Sequence, residues 1–126
     1  MRFLIVDDFM TMRRVLRSLL HQIGFDDVDE AADGAAALES LCVEMVDVVI
    51  TDIEMPTMNG FELLESIKKD ARLKHLPVLM VAAEARRDEI VRAVHSGAAG
   101  YLVKPFSRET LEERLRQIVP DSFAAA

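Results

Sequence analysis

The chain has 126 residues, 51% hydrophobic and 29% charged, which is the composition of one folded globular domain. Its 22 acidic and 15 basic residues give a net charge of −7. That balance argues against general nucleic-acid binding, which needs a basic surface. The apolar runs are too short to cross a membrane, and no signal-peptide cleavage site follows the N-terminus. The single cysteine, Cys42, favours a reducing cytoplasm, and we expect it to be a small buried residue.

The first strand and helix are predicted from residues 3–24. Residues 3–6 form an uninterrupted apolar run, which predicts a strand buried on both faces, and this run stops at Asp7 and Asp8. Apolar residues at helical spacing follow and are expected to face the core: Val15, Leu16, Leu19, Leu20 and Ile23. Gly24 then ends the helix, because glycine readily adopts the left-handed conformation common after a helix.

The second and third units differ in strength. Residues 27–31 predict a weaker strand near the sheet edge, and Asp33 is a suitable N-cap for a helix that continues through Leu41. Apart from Asp47, residues 46–51 are all β-branched, which predicts a central strand that stops at Asp52. Open α/β sheets bind their ligands at the carboxyl ends of strands. An acid buried there is costly unless it binds a cation or does chemistry.

The second half of the chain continues the alternation. Helical patterns cover residues 60–69 and 88–96, and a last helix is expected between the cap Ser107 and Pro120. Apolar runs at 77–82 and 100–103 predict the fourth and fifth strands. The proline that opens the fourth strand is tolerated because it stands at the first residue.

Five alternating units predict an α/β fold with a doubly wound, five-stranded parallel sheet and five helices on its two faces. Among such topologies we expect the flavodoxin-like strand order 2-1-3-4-5. One domain is expected over residues 1–120, followed by a short flexible tail over 121–126. No effector domain is expected after it, so any output would be through protein contact.

In that strand order, acids from different strands meet at one edge of the sheet. Asp7 and Asp8 would lie beside Asp52, and Lys104 follows the fifth strand at the same edge. Two unit charges about 4 Å apart repel by roughly 4 kcal/mol at an effective dielectric near 20, so a cation should accompany the acids. Carboxylate oxygens suit Mg²⁺. A carboxylate, this metal and a lysine are the groups that phosphoryl transfer requires.

Less specific interpretations stand beside this one. Asp7 and Asp8 are also suitable as ordinary caps of the first helix, and Lys104 as a solvated surface lysine. The combination of these residues with Asp52 favours the functional interpretation.

Several motifs now support a resemblance to a known family. They are Val6-Asp7-Asp8-Phe9, Thr11-Met12-Arg13-Arg14, Asp52, Met55-Pro56, Asn59-Gly60, Leu76-Pro77-Val78-Leu79-Met80-Val81, Glu84-Ala85, Gly97-Ala98, Gly100-Tyr101 and Val103-Lys104-Pro105-Phe106. The chain resembles the receiver domains of bacterial two-component response regulators, and most of all the single-domain chemotaxis kind. The resemblance covers nearly the whole chain.

The resemblance implies a role for each acid of the cluster. Asp52 would accept a phosphoryl group from a histidine kinase. Asp7 and Asp8 would hold Mg²⁺ together with Asp52 and the backbone carbonyl of Glu54. Lys104 would bind the incoming phosphoryl oxygens. Such a protein is not a conventional enzyme, because it catalyses only its own phosphorylation and dephosphorylation, and a phosphatase is a possible further partner.

The resemblance also implies an output face. Tyr101 would change its rotamer on activation, and the peptide bond to Pro105 would be cis. The face built from helix four, strand five and helix five would dock a flagellar motor switch protein. The chain departs from the family at Ala82, where the family has Thr or Ser. Without that hydroxyl, only the backbone N–H of Ala83 is left to donate to the phosphoryl group, and coupling to Tyr101 should weaken or become independent of phosphate.

Two acids flank the expected phosphoryl position. Glu54 and Glu84 occupy positions that tune the hydrolytic water in this family, and we expect slower autodephosphorylation. Other functions remain open. A phosphate sink or relay carrier is favoured by Ala82. A flavodoxin-like cofactor binder is disfavoured because Asp7 and Asp8 would repel a phosphate, and a phosphatase with Glu54 as general acid is disfavoured because the chain offers no substrate pocket.

Overall fold

Five parallel strands and five α-helices alternate along the chain in the computed structural model, which describes residues 1–123. The strands are β1 (Phe3–Val6), β2 (Val28–Ala31), β3 (Val48–Asp52), β4 (Val78–Ala82) and β5 (Gly100–Val103). The helices are α1 (Met10–Ile23), α2 (Gly34–Val43), α3 (Gly60–Lys69), α4 (Arg87–His95) and α5 (Arg108–Ile118). The strand order is β2-β1-β3-β4-β5, which confirms the doubly wound flavodoxin-like prediction.

Helices on the two faces of the sheet enclose two apolar layers. On one face, α1 and α5 pack through the buried leucines Leu16, Leu20, Leu111 and Leu115. On the other face, α2, α3 and α4 pack through a larger set that includes Leu41, Leu64, Ile67 and Ala93. Strand β3 lies between the layers and is buried along its whole length. Residues that leave the carboxyl end of this strand therefore start from a fixed position.

The strand register brings the functional ends of the strands to one edge. Val6 of β1 lies opposite Thr51 of β3, and Asp52 lies opposite Val81 of β4. Ala82 in turn lies opposite Val103 of β5. The residues that follow β1, β3, β4 and β5 consequently gather above the same edge, as the parallel topology predicts.

The predicted helix ends are confirmed where the sequence has a specific capping residue. Gly24 ends α1 in the left-handed region, with a φ of 117°. The side chain of Asp33 accepts a hydrogen bond from the N–H of Ala36, and Ser107 accepts one from Thr110. Asn59 forms a reciprocal capping box with Glu62 at the start of α3.

Two expectations are corrected. Val15 is 44% exposed, because the buried stripe of α1 runs through Leu16 and Leu20. Cys42 is exposed, because it lies beside the buried face that Leu41 occupies.

The predicted tail over residues 121–126 is described only at its first residues. Pro120–Ser122 form a 3₁₀ turn, and the ring of Phe123 packs edge-on against Phe25. Residues 124–126 lie outside the described part of the chain. Between residues 1 and 123, every helix is too short or too polar to cross a membrane.

Candidate functional site

Asp52 is the last residue of the buried central strand. Its side chain is 8% exposed, and one carboxylate oxygen accepts a hydrogen bond from the N–H of Ile53 at 3.0 Å. The hydroxyl of Thr51, a buried polar group to which the sequence analysis assigned no role, donates to the backbone carbonyl of Asp52 at 2.9 Å. Gly60 packs so closely on this strand end that a Cβ there would lie 2.4 Å from the same carbonyl. The backbone beneath Asp52 is therefore fixed from both sides.

Asp7 and Asp8 follow β1 and join Asp52 in one cluster. One carboxylate oxygen from each of the three residues lies within 4.8 Å of the others. Asp7 is buried and accepts a hydrogen bond from the N–H of Phe9 at 2.9 Å, whereas Asp8 is exposed. The N-cap of α1 is Phe9, which has no side-chain cap, so neither acid serves as the helix cap. The capping interpretation of these acids is thereby wrong.

Lys104 reaches into this cluster from the loop after β5. Its ammonium group lies 3.3 Å from a carboxylate oxygen of Asp52 and 3.5 Å from one of Asp7. The side chain is only 20% exposed, and the backbone N–H of Lys104 donates to the carbonyl of Ala82 at 2.8 Å. The peptide bond to Pro105 is cis, as predicted. The solvated-lysine interpretation therefore fails.

The electrostatics of the cluster are unbalanced. Burial raises the pKa of the Asp52 carboxyl, the neighbouring charge of Asp7 raises it further, and Lys104 offsets only part of the effect. The ammonium group of Lys104 contacts Asp52 and Asp7, two of the three clustered carboxylates. Hard oxygen donors in this number and spacing fit a small divalent cation, which would remove the mutual repulsion. Two of the donors are buried and the third faces solvent, so the position has an open side.

The loop between Asp52 and α3 is tightly folded. The N–H of Met58 donates to the carbonyl of Pro56 at 2.7 Å, and Thr57 between them has a φ of 69°. This is a γ-turn, which is uncommon and strained for a β-branched residue. The N–H of Gly60 returns to the carbonyl of Ile53 at 2.8 Å, so the loop closes onto the strand that carries Asp52.

A cavity of about 150 Å³ lies beside the cluster at the end of β4. Ala82, Ala83, Glu54 and Glu84 are among its lining residues. Ala82 is 2% exposed, whereas Ala83, Glu54 and Glu84 face solvent. The structure thus brings the two predicted water-tuning acids to the same opening as the position where the expected hydroxyl is missing. Because the space is open, a side chain larger than alanine can be accommodated there.

Tyr101 lies further along the same side of the sheet. Its hydroxyl donates to the carbonyl of Glu84 at 3.4 Å and to the Glu89 carboxylate at 3.3 Å. Burial and the negative charge of Glu89 raise the pKa of Tyr101 to about 12. Tyr101 and Pro105 also line a groove of about 600 Å³ that runs over α4, β5 and α5. Sequence reasoning missed Glu89, because nothing in its local pattern marks a contact with a strand twelve residues away.

Comparisons with known proteins identify the family. The model of the response regulator receiver domain matches residues 3–116, and the chain belongs to this family. The chemotaxis protein CheY of Pseudomonas aeruginosa is 50% identical over 118 residues, which cover 94% of this chain and 95% of that protein. CheY-3 of Vibrio cholerae is 51% identical, and the match covers 94% of this chain and 91% of that protein.

Solved structures agree with this assignment. CheY4 of Vibrio cholerae has a TM-score of 0.86 and 35% identity, with 94% of this chain and 98% of that chain covered. A putative response regulator from Chloroflexus aurantiacus has a TM-score of 0.89 and 31% identity, with 94% and 97% covered. The chain is therefore a receiver domain similar to chemotaxis regulators, which confirms the resemblance stated from its motifs.

Proposed function

We propose that the protein is a phosphorylation-controlled regulator of a two-component chemotaxis system, with Asp52 as the phosphoacceptor. The observation that carries this proposal is the buried carboxylate of Asp52, which has a second acid, Asp7, and an ammonium group, 3.3 Å away on Lys104, as its neighbours. Burying charged groups is costly, so such clusters are rare in purely structural cores and are found more often at functional sites. The similarity to chemotaxis proteins supports the choice of system.

In the proposed reaction, a carboxylate oxygen of Asp52 attacks the phosphorus of a kinase phosphohistidine. A P–O bond forms, the P–N bond breaks, and the electron pair stays on the imidazole nitrogen. Lys104 would neutralise charge on the phosphoryl oxygens, since its ammonium group already lies within 3.5 Å of both buried acids. In hydrolysis, water attacks the same phosphorus and releases the Asp52 carboxylate and inorganic phosphate.

Asp7, Asp8, Asp52 and the backbone carbonyl of Glu54 are the groups proposed to hold Mg²⁺. Their support is the donor set itself, which consists of clustered carboxylate oxygens with one side open to solvent. When bound, Mg²⁺ would neutralise the acids and the transferring phosphoryl oxygens. The carboxylate of Asp7 is oriented by the hydrogen bond that it accepts from the N–H of Phe9.

The proposed output is a contact with a target protein such as the flagellar motor switch, through the groove over α4, β5 and α5. A second candidate is a phosphate sink or relay carrier, which the absence of a hydroxyl at Ala82 favours. Titration of a motor-switch peptide with and without beryllofluoride separates them. A regulator should bind the peptide more tightly with beryllofluoride, whereas a sink should show little difference.

Glu54 and Glu84 are proposed to slow hydrolysis, because both line the cavity beside the phosphoryl position, where they would add negative charge and orient the attacking water poorly. The phosphoryl half-life should therefore shorten in Glu54→Asn. An unchanged half-life would remove Glu54 from the account.

The phosphoacceptor assignment is tested by phosphorylation with acetyl phosphate and Mg²⁺, followed by intact-protein mass spectrometry. Wild type and Asp88→Asn, which removes an exposed acid from the first turn of α4, should gain one phosphoryl group. Asp52→Asn should gain none. Equal uptake by Asp52→Asn and wild type would overturn the assignment.

A further inference from the structure

Glu89 connects two parts of the molecule that the proposed function treats separately. It stands in the first turn of α4, and its carboxylate accepts the hydroxyl of Tyr101 at 3.3 Å. The same side chain lines the 150 Å³ cavity at Ala82 and Ala83. It also lines the larger cleft, of about 500 Å³, that opens at Asp8. Glu89 therefore borders the space beside the acidic cluster and at the same time holds the aromatic ring.

Helix α4 has few other anchors. Ala93 is its only buried residue, and its N-cap, Arg86, makes no side-chain capping bond. Beyond the packing of Ala93, the guanidinium of Arg92 stacks 4.1 Å above the ring of Phe61 on α3. The Glu89–Tyr101 hydrogen bond connects the start of α4 to β5. The position of the Tyr101 side chain and the position of α4 on the sheet therefore depend on each other.

We propose that Glu89 is a positioning residue. Its hydrogen bond holds Tyr101 in place, and its carboxylate makes the position of Tyr101 respond to the negative charge that phosphorylation adds at Asp52. The second half of this inference rests on the proposed function. A phosphoryl group beside the cavity would repel the Glu89 carboxylate and weaken its hold on the Tyr101 hydroxyl. In this way a chain with Ala82 would couple the site to the ring through charge, with no hydroxyl on β4.

Other charged groups near Tyr101 are placed less directly. Glu84 approaches it through its backbone carbonyl, and Arg114 of α5 donates to the backbone carbonyl of Tyr101 at 3.5 Å. Asp88 is exposed on the same helical turn and raises the pKa of Tyr101 less than Glu89 does. Arg86 forms an exposed ion pair with Glu84 at 3.5 Å. Of these acids, Glu89 alone places its carboxylate on the hydroxyl.

The composition of the chain makes the first test direct. Tyr101 is the only tyrosine and there is no tryptophan, so ultraviolet absorbance reports the ionisation of this one ring. In Glu89→Gln, which keeps the shape but removes the charge, the pKa of Tyr101 should fall from about 12 towards its ordinary value of 10. Asp88→Asn should produce a smaller fall. Equal pKa values in Glu89→Gln and wild type would overturn the positioning role, provided that circular dichroism shows both folded.

A second test addresses transmission. Tyrosine fluorescence should change when wild type and Asp88→Asn are treated with acetyl phosphate and Mg²⁺, and this change should be lost in Glu89→Gln. Phosphoryl uptake, measured by mass, should be the same in all three. Equal fluorescence changes at equal uptake would overturn the transmission. If wild type takes up no phosphoryl group, the proposed function fails and transmission fails with it, while the absorbance titration still decides the positioning role.

Discussion

The centre of the sheet and its α4–β5 side are built differently. Strand β3 is buried along its length and ends in the fixed carboxylate of Asp52. Strand β5 is fully buried only at Leu102, and α4 only at Ala93. The difference separates two tasks. The centre keeps mutually repelling charges in a fixed arrangement. The α4–β5 side is weakly anchored, so it can change position at a low cost in free energy.

Removing core volume should affect the two regions very differently. Ile50 is fully buried in β3, while Val94 of α4 is 71% exposed. We expect Ile50→Ala to lower the free energy of unfolding by about 2–5 kcal/mol, because it removes buried methyl groups and leaves a cavity. Val94→Ala should change it by less than about 0.5 kcal/mol. Urea denaturation measures both, and similar losses would show that the α4 side is packed as firmly as the centre.

Loss of the central cation should slow the chemistry. Lys104→Met removes the ammonium group that lies 3.3 Å from Asp52. We expect phosphoryl uptake from acetyl phosphate to slow by about 10²-fold, the usual effect of removing one donor to a developing oxyanion. Lys69→Met serves as the control, because Lys69 pairs with Glu65 on an exposed face. A rate within a few-fold of wild type would mean that Lys104 is not needed for transfer.

Restoring a hydroxyl should strengthen the connection between the two regions. Ala82→Thr places a donor beside the 150 Å³ cavity, where there is space for it. A hydrogen bond to a charged group contributes about 1.5–3 kcal/mol, so the affinity for beryllofluoride should rise roughly tenfold or more. Ala82→Val has nearly the same shape and no donor. Equal affinities for the Thr and Val variants would assign any gain to packing alone.

The charge of Asp52 should appear in the pH dependence of stability. Because its pKa is raised in the folded state, chiefly by burial and then by Asp7, ionised Asp52 destabilises the fold. Protonated Asp52 therefore contributes to the stability of the fold. This contribution is complete below the pKa of Asp52 in the unfolded chain and is lost as the pH rises through its raised pKa in the folded protein. Without metal, Asp52→Asn should therefore be more stable than wild type at neutral pH, and the gap should close on acidification. A gap that is independent of pH would contradict this origin.

The fold was predictable because each element had its own local signal. The apolar runs, the glycine at Gly24 and the caps Asp33 and Ser107 agree with the observed elements, and alternation alone limited the topology. Val15 was misplaced because helical spacing locates a buried stripe only approximately. Cys42 was misplaced because the usual burial of a free cysteine does not fix which face of its helix it occupies.

The site was predictable in part. Strand order placed Asp7, Asp8, Asp52 and Lys104 at one edge without any knowledge of side chains, and the structure brings them together. The contact between Glu89 and Tyr101 depends on how α4 sits over β5, which no periodicity encodes. Sequence therefore located the candidate site but not the contact between Glu89 and Tyr101.

The identity of the phosphorylated residue is the most direct test of the proposal that Asp52 is the phosphoacceptor. Borohydride reduces an aspartyl phosphate to homoserine, which keeps a permanent mark on the modified residue. After treatment with acetyl phosphate and Mg²⁺, tandem mass spectrometry of the digested protein should find homoserine at position 52 and aspartate at positions 7 and 8. Homoserine at position 7 or 8, or at no aspartate although phosphoryl uptake occurred, would contradict the account.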